Sequence, residues 1–247
     1  MKKVFEYFRL FTIEAATNKI AFFWTLVLPL LFMIVNSMDW FGSPPDNYIS
    51  ILAAYWAYLV LITSLNGVGM GLLVYRDNGF LKMFSFLSGS HQPVIFGKIM
   101  AQYVFMVVNM IVFTIVVSLL FRLDLLMVLG VGMMTALFLS IPLFFLSLIV
   151  PILPVKETAI APLFSLIIFG FIFFAQIDTG NAMLENLHSI LNPAVFVRDS
   201  TIGFYQFLSS VEISVSVWPL LVAAVLYVAL GLFLMKNIRL TSVKNRS

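Results

Sequence analysis

From Asn47 to Tyr75 the chain runs 29 residues without an Asp, Glu, Lys or Arg. Charge-free runs of this kind recur five more times and place candidate spans at 20–38, 49–75, 99–121, 125–155, 158–177 and 213–235. About 20 apolar residues in a helix cross the hydrocarbon core of a bilayer. Backbone polar groups find no partners in lipid, so such runs must be helical. The pattern predicts an all-α polytopic membrane protein, a single transmembrane domain over 1–247 with six transmembrane helices. The second and fourth runs exceed one crossing, which predicts tilt or kinks. Pro142, Pro151 and Pro154 predict a kinked or early-ending fourth span.

The polar segments between the spans carry their own patterns. Over 1–19, Val4, Phe8, Phe11 and Ala15 fall on one helical stripe, with Lys2, Glu6 and Arg9 elsewhere. That predicts an amphipathic helix in the membrane interface, the alternative being a charged leader that only sets topology. The 76–98 segment mixes charge with Phe80, Leu81, Phe84 and Phe86. Such residues are buried against a partner or tucked against the loop's own helix ends. The 178–212 segment is apolar at 190–197 and 204–208. It reads as short helices re-entering the outer leaflet or as a plain external cap.

Charge then orients the spans. The 62% hydrophobic and 10% charged content suits a membrane protein. Of 14 basic residues, all but Arg122 and Arg198 fall in 1–19, 76–98, 156–157 and 236–247. The positive-inside rule puts those segments, and both termini, in the cytoplasm of a cell held by its plasma membrane. The pI of 9.2 reflects this asymmetry and gives no reason to invoke nucleic acid. No short apolar core with a small-residue cleavage site opens the chain, so a cleavable signal is not expected.

Chemistry is sparse. Cysteine is absent, which excludes disulfides and thiolate metal sites. His91 and His188 fall on opposite sides of the predicted membrane, and no metal-ligand spacing exists. Leu87-Ser-Gly-Ser90 reads like an ATPase signature, yet no G-x-x-x-x-G-K-[ST] loop accompanies it, so no nucleotide or other cofactor is expected in this chain. Asn66, Gln102 and Asn109 are the polar amides away from the span ends, without an acid or base among them. That argues against an ion-coupled carrier, which usually keeps ionisable groups in its spans. Gly67 and Gly71 are spaced as small-xxx-small, fitting a dimer seam, a flexible point or packing within one subunit.

In layout, and in the run Arg76-Asp77-Asn78-Gly79-Phe80-Leu81-Lys82 with Gly97-Lys98 beyond it, the chain resembles the type-2 permease family of ATP-binding-cassette exporters. Asn192-Pro193-Ala-Val-Phe196 followed by Asp199 resembles that family's motif before the last span. Ser88-Gly89 replaces a common Ser/Thr-Pro, and Ala175-Gln-Ile-Asp178 replaces a common Ser-Gly. The resemblance implies a permease dimer, of identical or different subunits, that works with a separate ATPase holding the ATP and Mg. It implies that Arg76, Asp77, Gly79, Phe80, Leu81, Lys82 and Phe84 dock into that ATPase, with Leu81 and Phe84 on one apolar face. It implies a pathway between permeases, lined by spans one, two and five, for an amphipathic substrate: a peptide such as a bacteriocin or toxin, or a drug. Export of lipid-linked polysaccharide, and an ion-coupled carrier or channel, stay open.

Overall fold

Without charges to break them, the apolar runs wind as long helices that bond their own backbones; most breaks come where Gly, Pro or Asn supplies a different geometry, and Arg122 and Ser210 take positive φ at two others. The computed structural model describes residues 2–41, 43–177, 180–211 and 214–240. It is 85% helical, with no strand among the described residues. Asp178, Glu212, Ile213 at the start of the last expected span, and Lys244 and Arg246 of the basic tail lie outside the described residues.

Among the described residues ten helices follow one another, besides a 3-10 turn at Met38–Phe41. Helix α1 is Lys2–Thr17. Helix α2 joins Lys19–Phe22, a wide π turn at Phe23–Val27 and Leu28–Asn36. Then come α3 (Tyr48–Asp77), α4 (Phe80–Ser88), α5 (Gln92–Phe121), α6 (Leu125–Ile152) and α7 (Glu157–Phe174). Helices α8 (Ala182–Leu191) and α9 (Pro193–Leu208) form a hairpin before α10 (Val217–Lys236).

Five of these, α3, α5, α6, α7 and α10, are long and apolar enough to cross a membrane. The run expected at 20–38 is the exception, since its apolar helix Phe23–Asn36 is only about 21 Å long at ~1.5 Å per residue. The 76–98 segment is not an open loop: α4 occupies its middle, and α5 starts at Gln92, ahead of the expected Ile99. The fourth expected span leaves regular α-helical geometry on both sides of Pro142 and tightens around Pro151. A π turn at Thr135–Leu139 precedes Pro142, and the helix ends in a 3-10 turn at Ser147–Ile152 around Pro151.

Helix α3 is the hub. Within the chain 72% of its apolar stretch is buried, against 11% for α7. Trp56 of α3 donates from Nε1 to Thr114 Oγ1 of α5 at 3.1 Å, and a Cβ on Gly132 of α6 would press on that same hydroxyl at 3.0 Å. Helix α1 lies along α5, where a Cβ on Gly97 would meet Tyr7 Cβ at 2.5 Å. The predicted stripe turns inward here: Phe11 and Ala15 are buried, while Phe5, Leu10 and Ile13 stay exposed. Helix α10 meets α6 almost backbone to backbone, with Phe145 O 2.4 Å from where a Cβ on Gly231 would stand.

Candidate functional site

Three groups of predicted residues end in different surroundings. Arg76 and Asp77, expected to meet a partner, are turned into the chain. Arg76 is 1% exposed, and its guanidinium donates to the Pro151, Leu153 and Val155 carbonyls at the end of α6. Asp77 pairs with Arg76 at 2.9 Å and accepts the Glu157 N–H at 2.8 Å, capping α7. Pro151 breaks the helix and strands those carbonyls, and a planar five-donor cation at the end of α3 satisfies them. The pair is a clamp that fixes the α6–α7 turn.

The expected apolar face of α4 is also reversed. Leu81 is fully buried, and Phe84 packs edge-on to Tyr7, Phe11 and Tyr75, while its carbonyl accepts from Tyr7 Oη at 2.9 Å. The face left outward carries Phe80, Met83, Phe86 and Leu87, with Phe86 87% exposed, beside the exposed Lys82. Apolar residues stand on both sides of this short helix, so residue type alone gave no direction; only the packing of α1 decides it. Gly79 and Gly89 flank α4 at φ of +78° and +80°, left-handed positions that glycine adopts without strain.

The Asn192-Pro193 group starts α9. Asn192 caps the helix through the Ala194 N–H at 2.9 Å and donates to the Phe171 carbonyl at 3.0 Å. Phe196 is buried against Tyr227 of α10, and Asp199 holds Arg198 at 2.8 Å and Ser189 Oγ at 3.1 Å. Thr201 meets Thr135 at 2.9 Å. Ala182–Leu191 and Pro193–Leu208 are thus a packed hairpin, with α9 buried against α3 and α6.

Gly67 and Gly71 face side chains of their own chain. A Cβ at Gly67 would lie 2.4 Å from Gln102 Oε1, and one at Gly71 would lie 2.9 Å from Lys98 Cε. Both glycines make room for polar groups of α5 and line a cavity of about 660 Å³. The cavity sits between α1, α2, α3, α5 and α7, with Trp24 and Phe169 half exposed at its edge. One helical face of α3 supplies Thr63, Asn66, Gly67, Met70, Gly71 and Val74, the first four from the wide π turn Thr63–Met70. Turns of this kind often mark functional positions.

At one end of the cavity stands a polar cluster that sequence reasoning missed. Lys98, counted among the loop charges, is 4% exposed in α5. Its ammonium lies 3.1 Å from Glu14 of α1 and 3.1 Å from Tyr75 Oη, and Tyr75 also donates to Glu14. The cation also stands 5.0 Å from the centre of the Phe11 ring. The available signal was that Lys98 sits one turn before Gln102, so both share a face of α5. Asn109, further along α5, donates to Thr25 of α2 at 3.2 Å.

Among the described residues no cluster of metal-binding side chains exists. No protein-family model matches this chain, and no curated protein matches it in sequence.

Proposed function

We propose that this chain is the membrane-spanning permease of an ATP-driven exporter, working as a pair of subunits with a separate ATPase. The observation that carries the reading is α4. It is a short helix between two spans, flanked by glycines, fixed to α1 by Tyr7 and Lys3, and apolar on its outward face. A solvated connection has no reason to display Phe80, Met83, Phe86 and Leu87 together, whereas an ATPase-docking element does. In this reading α2 is the sixth span, accommodated by local bilayer thinning or shielded by the second permease because it is short, and both termini lie in the cytoplasm. Helices α2 and α7, with Trp24, Leu166, Phe169 and Phe173 outward, meet the second permease. The cavity between them admits an amphipathic substrate, and the resemblance of the 76–82 run points the same way.

The test is to purify the chain with a candidate ATPase encoded beside it. The pair should copurify, and the chain should change the ATPase rate. Phe86→Asp should abolish both while leaving the isolated chain folded. Leu81→Asp, by contrast, should unfold α4 itself. If Phe86→Asp copurifies unchanged, α4 is not the docking element.

The Glu14–Lys98–Tyr75 cluster favours a second reading, an ion-coupled carrier, because it puts a buried lysine, paired with a half-exposed carboxylate, where the sequence offered no charge. The chain alone in vesicles would then move solute along an imposed proton or sodium gradient. Flux that requires the ATPase instead removes this reading.

A further inference from the structure

The polar groups that the fold leaves unused in the cavity are all uncharged. Thr63 is 2% exposed and its hydroxyl is buried without a hydrogen-bond partner, while the carboxamide of Gln102, a 7% exposed residue, makes no hydrogen bond among the described residues. Asn66 stands one turn from Thr63 on the same wall and likewise makes no side-chain hydrogen bond among the described residues. Buried polar atoms are almost always paired, so the Thr63 hydroxyl calls for a partner, and the unbonded carboxamides of Gln102 and Asn66 stand on the same cavity to share it. The charges nearby are already matched: Lys98 is held by Glu14 and Tyr75. The remaining walls are apolar, with Ile62, Met70, Phe105, Phe164 and Ile168.

We propose that this cavity binds an amphiphile whose head is net neutral and both donates and accepts hydrogen bonds, an amide foremost, and whose tail is apolar. The carboxamides of Gln102 and Asn66 each offer two donors and an acceptor, the complement of another amide, and Thr63 adds a hydroxyl. A carboxylate or ammonium head would lose its hydration and find no free counter-charge, because Glu14 and Lys98 neutralise each other. The volume of about 660 Å³ lies within the range of small-molecule sites. As a description of cargo, the proposal rests on the exporter reading above; as a binding site it stands on the cavity alone.

The experiment uses the full chain in lipid nanodiscs, without any ATPase. Three probes share one brominated alkyl tail and end in a primary carboxamide, a carboxylate or a trimethylammonium group. Bromine quenches tryptophan on contact, and Trp24 lines the cavity. The carboxamide should quench saturably, the saturable part should vanish in Trp24→Phe, and binding should be at least about tenfold tighter than for either ion. Gln102→Leu and Thr63→Val should each weaken it about fivefold, the effect of one neutral hydrogen bond. Ser165→Phe, at an exposed position on the cavity wall, should block it without touching the core. Equal binding of all three heads overturns the proposal. So does quenching that never saturates, or that Gln102→Leu and Ser165→Phe leave unchanged, since partition into the bilayer alone behaves that way. A chain that binds the amide but ignores every ATPase overturns the exporter reading and leaves the site standing; the reverse result overturns the site.

Discussion

Two buried cations, Arg76 and Lys98, sit close to the same end of the helix bundle and do opposite things. Arg76 is sealed: its pair with Asp77 is 2.9 Å long, the guanidinium is fully buried, and three carbonyls from the end of α6 and the turn after it surround it. Lys98 borders an open cavity: its partner Glu14 is 45% exposed and belongs to a helix on the outside of the bundle. Arginine suits the first place because its planar fork reaches several acceptors at once. Lysine suits the second, because a flexible stem can carry a compact charge across the gap that Gly71 leaves. One pair fixes a turn, while the other can be reached from a site that a ligand can enter.

The contrast predicts a graded series of losses, read as unfolding free energy in mixed micelles titrated with SDS. Arg76→Ala should cost most, about 3–5 kcal/mol, since it strands Asp77 and three carbonyls together. Arg76→Lys should recover only part of this, because an ammonium cannot reach all three acceptors in one plane. Glu14→Ala should cost less, about 1–2 kcal/mol, because solvent already screens the half-exposed carboxylate. Lys98→Met should cost under about 1 kcal/mol, since Glu14 then simply hydrates. Adding Glu14→Ala to Lys98→Met should cost almost nothing more, within about 0.5 kcal/mol. Equal losses for Arg76→Ala and Glu14→Ala would erase the distinction between the two pairs.

The helical class and the positions of the long apolar helices were legible because lipid demands uninterrupted apolar runs. The prolines near 142–154 likewise announced the irregular turns and the end of α6. The site was harder to read. The sequence numbers of Glu14 and Lys98 differ by 84, and nothing periodic links them. Counting charges by loop assigned Lys98 to solvent, although the helix starts ahead of it at Gln92. The direction of α4 was hidden for a related reason. Phe80, Leu81 and Phe84 are all apolar, so only the neighbouring α1 decides which of them is covered. The run expected at 20–38 is helical as far as Asn36, but its apolar part, Phe23–Asn36, is shorter than that of the five long helices.

The makeup of the hub also sets a constraint on biogenesis. Helix α3 is the least apolar of the five long helices, yet it emerges from the ribosome before the other four. Its polar, glycine-rich stretch 63–71 is covered later, by Gln102 and Lys98 of α5 and by the Ser147–Val150 turn of α6. A helix with so many polar positions enters lipid less readily by itself than its successors do. The nascent chain therefore has to keep α3 at the insertion machinery, or beside lipid-shielding assistance, until α5 and α6 arrive. A truncation ending after Asp77 should leave α3 poorly inserted, whereas one ending after Ile152 should restore it.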